Sequence, residues 1–202
     1  MSVVVGVVAV QGAVTEHLEA FERAFQDFGR KGRAIAVRRP KDIEAVQALA
    51  IPGGESTTIS KLLIKFGLFD GIVKRAQQGM PVLGTCAGLV LLAKEGDDEV
   101  ERTGTRLLGL MDMAVDRNAF GRQKESFEAE IAVELPGAEW KKPFPAVFIR
   151  APAITKVWGH CKALASVEGI TVLAEQDSLM AAAFHPELTA DTRIHMRLIG
   201  KI

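Results

Sequence analysis

The stretch MPVLGTCAGLVLLA, residues 80–93, runs from one apolar segment through Gly84-Thr85-Cys86-Ala87-Gly88 straight into another. Met80 to Thr85 reads as a buried strand and Leu89 to Ala93 as a short helix, so Cys86 falls on a very tight strand-to-helix turn. That is the arrangement of a nucleophile elbow with Cys in place of Ser. A residue held there has a strained backbone, and flanking glycines let the chain pass closely while the sulfur projects into a cleft. A helix N-terminus beside the sulfur favours thiolate over thiol. The bland alternative is a buried, inert cysteine in a Gly-containing turn.

The segments before this turn alternate between strand and helix patterns. Val3 to Ala9 is apolar on consecutive positions, as in a parallel-sheet strand covered on both faces, and Gln11-Gly12 breaks it. Val14, Leu18, Phe21, Phe25 and Phe28 then recur at helical spacing and predict one apolar stripe ending before Gly29. Short strands are expected at 34–37 and 48–51, with an amphipathic turn over 42–46 and helices near 57–66 and 70–78. Beyond Leu107 the texture changes to strand-like segments near 108–116, 126–134, 144–149, 161–165, 171–175 and 180–184, closed by a helix from about 190. This order predicts an α/β fold, a mainly parallel sheet with antiparallel additions, in one domain spanning 1–202. The charged stretch Lys94 to Arg106 reads as a solvated loop outside the chemistry.

Bulk properties narrow the function. The 202 residues are 48% hydrophobic and 25% charged, enough for one sizeable core. Lys plus Arg and Asp plus Glu each total 25, so no global field attracts nucleic acid or an anionic membrane. No Lys or Arg precedes the first apolar run, unlike a secretory signal, and no stretch reaches the roughly 20 apolar residues of a spanning helix. A soluble protein is expected. Cys86 and Cys161 are too few for a disulfide framework, which favours reduced thiols and a cytoplasmic location.

Two further motifs supply partners for a thiol. In Phe184-His185-Pro186-Glu187, at a strand end, an imidazole can hold a thiolate and protonate a leaving group, while a carboxylate two residues on fixes its tautomer. In extended backbone the two would point the same way. Pro52-Gly53-Gly54-Glu55-Ser56-Thr57 follows the third strand, where paired glycines can turn an N–H into the cleft and, with the N–H of Ala87, stabilise an oxyanion. A phosphate loop is disfavoured, because the Gly-Lys-Ser/Thr ending is absent and Glu55 repels phosphate. His17, His160 and His195 have no metal-ligand spacing with the cysteines and are expected in core or surface roles; no metal site is expected. Cys161 is expected to pack, and the isolated Trp140 and Trp158 offer no base-stacking platform.

PGGEST, GTCAGL and FHPELT occur here in the order and spacing of class I, triad-type glutamine amidotransferases. The chain further resembles the glutaminase subunit of pyridoxal 5′-phosphate synthase through Val10-Gln11-Gly12-Ala13-Val14 with Glu16-His17, Asp116 to Gln123, Ser126-Phe127-Glu128 and Phe148-Ile149-Arg150-Ala151-Pro152. These segments span nearly the whole chain. The resemblance implies a three-layer, flavodoxin-like fold and a triad of Cys86, His185 and Glu187. It also implies an oxyanion hole from Gly54 and Ala87, and an L-glutamine pocket lined by Gly53, Gly54, Glu55, Arg117, Ile149 and Arg150. An arginine fork suits the substrate α-carboxylate. No cofactor is expected. The implied partner is a barrel-shaped synthase subunit in a large hetero-oligomer, whose docking activates the glutaminase and receives its ammonia. Two other readings stand beside it. A non-catalytic regulator would be expected to lack a triad member, and all three are present. Another cysteine hydrolase on a flavodoxin-like sheet would place His differently and would not need PGGEST together with RNxFGRQ. The family pattern is less closely followed at Val10 and over Glu175 to Ala183, which leaves the hairpin register there open.

Overall fold

A computed structural model describes residues 2–117, 126–135, 138–140 and 142–202. The valine run forms β1 (Val3–Val8), where nearly every position is buried, and Gly29 in left-handed conformation ends α1 (Val14–Phe28). There follow β2 (Gly32–Val37), α2 (Pro40–Glu44), β3 (Ala48–Ile51), α3 (Ser56–Lys65), α4 (Phe69–Gln77), β4 (Val82–Thr85) and α5 (Ala87–Leu92). Next come β5 (Ala93–Glu95), α6 (Asp98–Thr103), β6 (Met111–Asp116), β7 (Ser126–Ile131), β8 (Glu134–Leu135), β9 (Ala138–Glu139) and β10 (Phe144–Ile149). The chain closes with β11 (Ala153–Val157), β12 (Lys162–Val167), β13 (Ile170–Gln176), β14 (Leu179–Ala182), a 3₁₀ turn (Pro186–Leu188) and α7 (Arg193–Gly200).

The main sheet runs β2-β1-β3-β4-β14-β13-β11-β6-β5, with β12 paired to β13. From β2 to β14 every pairing is parallel; β13, β11 and β6 then continue antiparallel, and β5 lies parallel to β6 at the far edge. Helices flank the sheet: α1 packs on β1 and β2 and against α7, while α5 packs on β4, β3 and α3. This is the expected mainly parallel sheet with antiparallel additions. Antiparallel β7–β10 and β8–β9 pairs stand apart from it. The uncertain hairpin resolves as β13–β14 in register Gln176↔Leu179 to Leu173↔Ala182, turning at Asp177 with φ 52°. No described helix is long and apolar enough to cross a membrane.

Three local expectations need correction. Lys94 to Arg106 is not a loop: it carries β5 and α6, the latter started by Asp97, whose side chain accepts from the Val100 N–H at 2.8 Å, and stopped by left-handed Gly104. The buried face of α1 is His17, Ala20, Phe21, Ala24 and Phe25, whereas Phe28 at the end of the predicted stripe is 43% exposed. Small alanines let the helix approach the sheet, which turns the face by about one residue. The segment 150–160 contains β11, which no sequence pattern announced.

Candidate active site

Cys86 stands between β4 and α5 with φ 48° and ψ −105°, in the positive-φ region that L-residues enter at a cost of about 1–3 kcal/mol. The surroundings hold it there. Its N–H donates to the Ala182 carbonyl of β14 at 2.8 Å, and the flanking glycines allow the backbone crossings the elbow needs. A Cβ on Gly84 would lie 2.5 Å from the Gly88 carbonyl, and one on Gly88 would overlap the Ile51 carbonyl of β3. The side chain is buried, with Sγ 3.9 Å from the Ile149 carbonyl, a distance at which a thiol S–H donates weakly.

β14 is the parallel neighbour of β4, in register Thr85↔Ala182, so the residues just past both strand ends meet at the carboxyl edge of the sheet. His185 therefore faces Cys86. Its N–H donates to the Val147 carbonyl at 2.8 Å, and Nδ1 lies 2.7 Å from Glu187 Oε1. The pair is not on extended backbone as expected. Proline favours a helical φ at the first position of a turn and keeps the residue before it extended. So His185 (φ −105°, ψ 84°) leads into the 3₁₀ turn that folds Glu187 back beneath the ring. Burial alone would lower the His185 pKa, but hydrogen bonds to Cys86 and Glu187 outweigh it and push it up to about 10. Burial likewise works against the Glu187 carboxylate, yet the neighbouring His17 and His185 hold its pKa below the usual range.

A cavity of about 530 Å³ opens over the sulfur, a size suited to a small ligand. Gly54, Glu55, Cys86, Ala87, Arg117, Ile149, Arg150 and His185 line it, as do Gln11, Ser56, Val90, Glu99 and Pro152. Gly53 sits behind that wall, where a Cβ would press on His185 and Cys86. The carboxylate of Glu55 is already engaged: it caps α3 by accepting from the N–H groups of Thr57 (3.0 Å) and Thr58 (2.6 Å). The Glu55 N–H in turn donates to Gln11 Oε1 at 3.0 Å, tying the Gly53-Gly54 loop to the end of β1.

Arg117 is largely buried. Its Nη1 reaches Ser56 Oγ (3.2 Å) and Thr57 Oγ1 (3.3 Å), its backbone N–H donates to Asp97 Oδ2 (2.7 Å), and its guanidinium lies 3.6 Å from Asp97 and 3.7 Å from Glu99. Nε and Nη2 are buried and make no hydrogen bond among the described residues, but they face Asp97 and Glu99, whose charges hold the cation at the cavity wall. The charged stretch expected to lie outside the chemistry thus supplies the acids that seat this arginine. Arg150, exposed, also has positive φ (42°), a second strained residue on the cavity wall. Asn118 to Gln123 of the motif around Arg117 lie outside the described residues.

Beneath Glu187, sequence reasoning missed a pair. His17 and His195, expected in core or surface roles, are both fully buried, and His17 Nε2 is 3.3 Å from Glu187 Oε2. His160 is exposed. Cys161 is buried, and desolvation together with the Asp112 charge pushes its thiol up to about 11, which makes it a poor nucleophile. No group of three or more His, Cys, Asp or Glu among the described residues could hold a metal ion.

An elbow cysteine at the carboxyl edge of a parallel sheet, facing an imidazole–carboxylate pair from the next strand, has the layout of a triad-type glutamine amidotransferase. The chain belongs to the SNO glutamine amidotransferase family, whose model matches residues 7–202. It is 47% identical over 198 residues to pyridoxal 5′-phosphate synthase subunit PdxT of Methanosarcina mazei, covering 98% of each chain. Identity to the Archaeoglobus fulgidus subunit of the same name is 52% over 191 residues, 95% of this chain and 94% of that one. Among solved structures, a glutamine amidotransferase matches with TM-score 0.84 and 40% identity, covering 98% of this chain and 97% of the other. A Thermotoga maritima glutamine amidotransferase at 15% identity (TM-score 0.61, 99% and 82% covered) shares the fold.

Proposed function

We propose that the chain is the glutaminase subunit of a pyridoxal 5′-phosphate synthase, hydrolysing L-glutamine to L-glutamate and ammonia for vitamin B6 synthesis. One observation carries the reading: an elbow cysteine and an imidazole hydrogen-bonded to a buried carboxylate share one cavity with a seated arginine. Arg117 and Arg150 meet the α-carboxylate of glutamine, with Gly54, Glu55 and Ile149 shaping the remainder of the pocket and Gly53 backing it.

The Cys86 sulfur attacks the side-chain amide carbonyl, and the N–H groups of Gly54 and Ala87 take the developing oxyanion. His185, held as imidazolium between Cys86 and Glu187, protonates the departing nitrogen and so releases ammonia. A water then adds to the γ-glutamyl thioester with His185 as base, expelling the thiolate beside the imidazolium and yielding glutamate. Glu187 stays ionised throughout and fixes the ring.

Free ammonia is mostly protonated in neutral water, so the product is useful only when handed directly to a second enzyme. The partner is the synthase subunit of the same complex, barrel-shaped and assembled with this chain in a large hetero-oligomer in the cytoplasm. Docking would switch the glutaminase on by rearranging the Gly53-Gly54 peptide. Glutamate release by the full chain, alone and with the synthase subunit, tests the reading. Slow hydrolysis that accelerates on mixing, and disappears in Cys86→Ala while the fold persists, is the expected result; full activity in Cys86→Ala would remove the nucleophile.

A further inference from the structure

The glutaminase reading uses one oxygen of Glu187 and leaves the other unexplained. Oε1 bonds His185, while Oε2 is buried and has no well-formed hydrogen bond among the described residues; the close polar approach to it is His17 Nε2 at 3.3 Å. The same Nε2 is 3.1 Å from Thr85 Oγ1, and on the far side of the ring Nδ1 is 3.1 Å from His195 Nε2. Four segments thus converge beneath the site: α1 with His17, β4 with Thr85, the 3₁₀ turn with Glu187 and α7 with His195. Phe21 packs nearly perpendicular to the His195 ring, with ring centres 4.7 Å apart. His17 does not line the cavity and cannot touch the substrate.

Proton bookkeeping leaves one consistent arrangement. Glu187 is ionised, so a bare ring nitrogen facing Oε2 would set a lone pair against an anion; Nε2 of His17 must carry the hydrogen. Burial is the largest cause lowering the pKa of both imidazoles, against the pull of Glu187 and Glu16 on His17 and together with the repulsion of His185 on His17 and of His17 and Arg23 on His195. Both rings are therefore neutral, and what His17 offers Glu187 is an N–H dipole rather than a full charge. With Nε2 protonated, His17 Nδ1 accepts, and His195 Nε2–H donates to it. His195 Nδ1 is then a bare acceptor, in keeping with its having no hydrogen-bond partner among the described residues. The opposite tautomers would leave a buried N–H unpaired there, the rarer and costlier defect.

We infer that His17 is a positioning residue of the active site: its Nε2–H, hydrogen-bonded to Thr85 Oγ1, presents its positive end to the outer oxygen of Glu187 3.3 Å away, so that the inner oxygen stays aimed at His185, and His195 locks the His17 tautomer. The inference rests on the glutaminase reading for its kinetic consequence, but its tautomer statement stands independently.

The test uses the full-length chain. In the wild-type protein labelled with ¹⁵N-histidine, NMR should find His17 and His195 neutral and protonated on Nε2; a proton on Nδ1 of His17 would overturn the inference whatever the kinetics. In the glutaminase assay with the synthase subunit, His17→Phe should lower kcat roughly 10-fold, the scale of leaving a buried charged oxygen without its polar neighbour, with KM nearly unchanged. The acid limb of its kcat profile should move to higher pH, because Glu187 has lost a stabilising donor. The groups facing that carboxylate from all sides are His17, His185 and, through them, Cys86 and His195. His17→Gln, whose amide nitrogen stands where Nε2 was, should recover most of the rate and the profile. A folded His17→Phe with wild-type kcat and pH profile, or a His17→Gln as impaired as the Phe variant, refutes it. A His17→Phe that does not fold leaves the wild-type NMR result to decide. A wild-type chain that releases no glutamate would instead refute the glutaminase reading.

Discussion

Gly53→Ala is a one-methyl probe of the active site. The added Cβ would lie about 1 Å inside van der Waals contact with His185 Cε1, carbons touching at roughly 3.5 Å, and also 3.1 Å from its Nδ1 and 3.2 Å from Cys86 Cβ. The backbone cannot absorb this easily, since the Gly53 carbonyl abuts Gly12, whose own φ is 100°. The imidazole must yield. It is pinned by the 2.7 Å bond to Glu187, so moving it by an ångström either breaks that bond or swings Nε2 off the sulfur. A misplacement of about 1 Å in a reacting group costs on the order of 100-fold in rate. Overpacking one methyl destabilises by about 1–3 kcal/mol, which leaves a chain of this size folded. The expected phenotype is therefore a folded protein with glutamine hydrolysis down about 100-fold in kcat, read as glutamate release with the synthase present and by thermal melting. Wild-type kcat in a folded Gly53→Ala would refute the placement of this loop against His185.

Three other outcomes follow from the same geometry. Because the folded-state pKa of His185 is raised to about 10 from an ordinary 6.5, its stabilisation is full below pH 6.5 and fades as pH rises through 10. The stability gap between wild type and His185→Asn should narrow steadily from pH 7 to 10 in denaturant melts, and a constant gap would contradict the pairing. Asp97→Ala removes the α6 cap and the anion seating Arg117, so it should cost about 2–4 kcal/mol and raise KM for glutamine more than it lowers kcat; an unchanged KM would separate Arg117 from the substrate. Iodoacetamide at neutral pH should label one thiol per chain, blocked by glutamine and absent in Cys86→Ala, because Cys161 is buried with its thiol raised to about 11; labelling of Cys161 would contradict that environment.

What could be read in advance, and what could not, divides along physical lines. β1, β3 and β4 were legible because buried parallel strands need continuous apolar runs, and the elbow because Gly84 lets β4 pass Gly88 and Gly88 lets α5 pass Ile51. α6 was not legible: six residues with one buried side chain, Val100, generate no periodicity, and its signal lay in the Asp97 cap and Gly104 stop. Nor could composition tell that its acids would seat Arg117 rather than face solvent, since that contact depends on where β6 ends. The turn after His185 was misjudged because a two-residue spacing fits a strand, whereas Pro186 favours a helical turn.

The histidine pair beneath Glu187 marks the limit of pattern reading most clearly, and also where it could have gone further. Taking the largest apolar residues of α1 as its inner face puts His17 at the margin. Taking the small ones as well, Ala20 and Ala24 with Phe21 and Phe25, puts His17 one turn above them on the face that meets the sheet. A histidine on the buried face of a helix must find polar partners or cost several kcal/mol in lost hydrogen bonding. Here the partners come from positions 85, 187 and 195, brought together because α1 packs against α7 and the 3₁₀ turn over the carboxyl edge of the sheet. The unsatisfied need of that one side chain, not its spacing from any cysteine, was the available clue that the site extends a layer deeper than its three reacting groups.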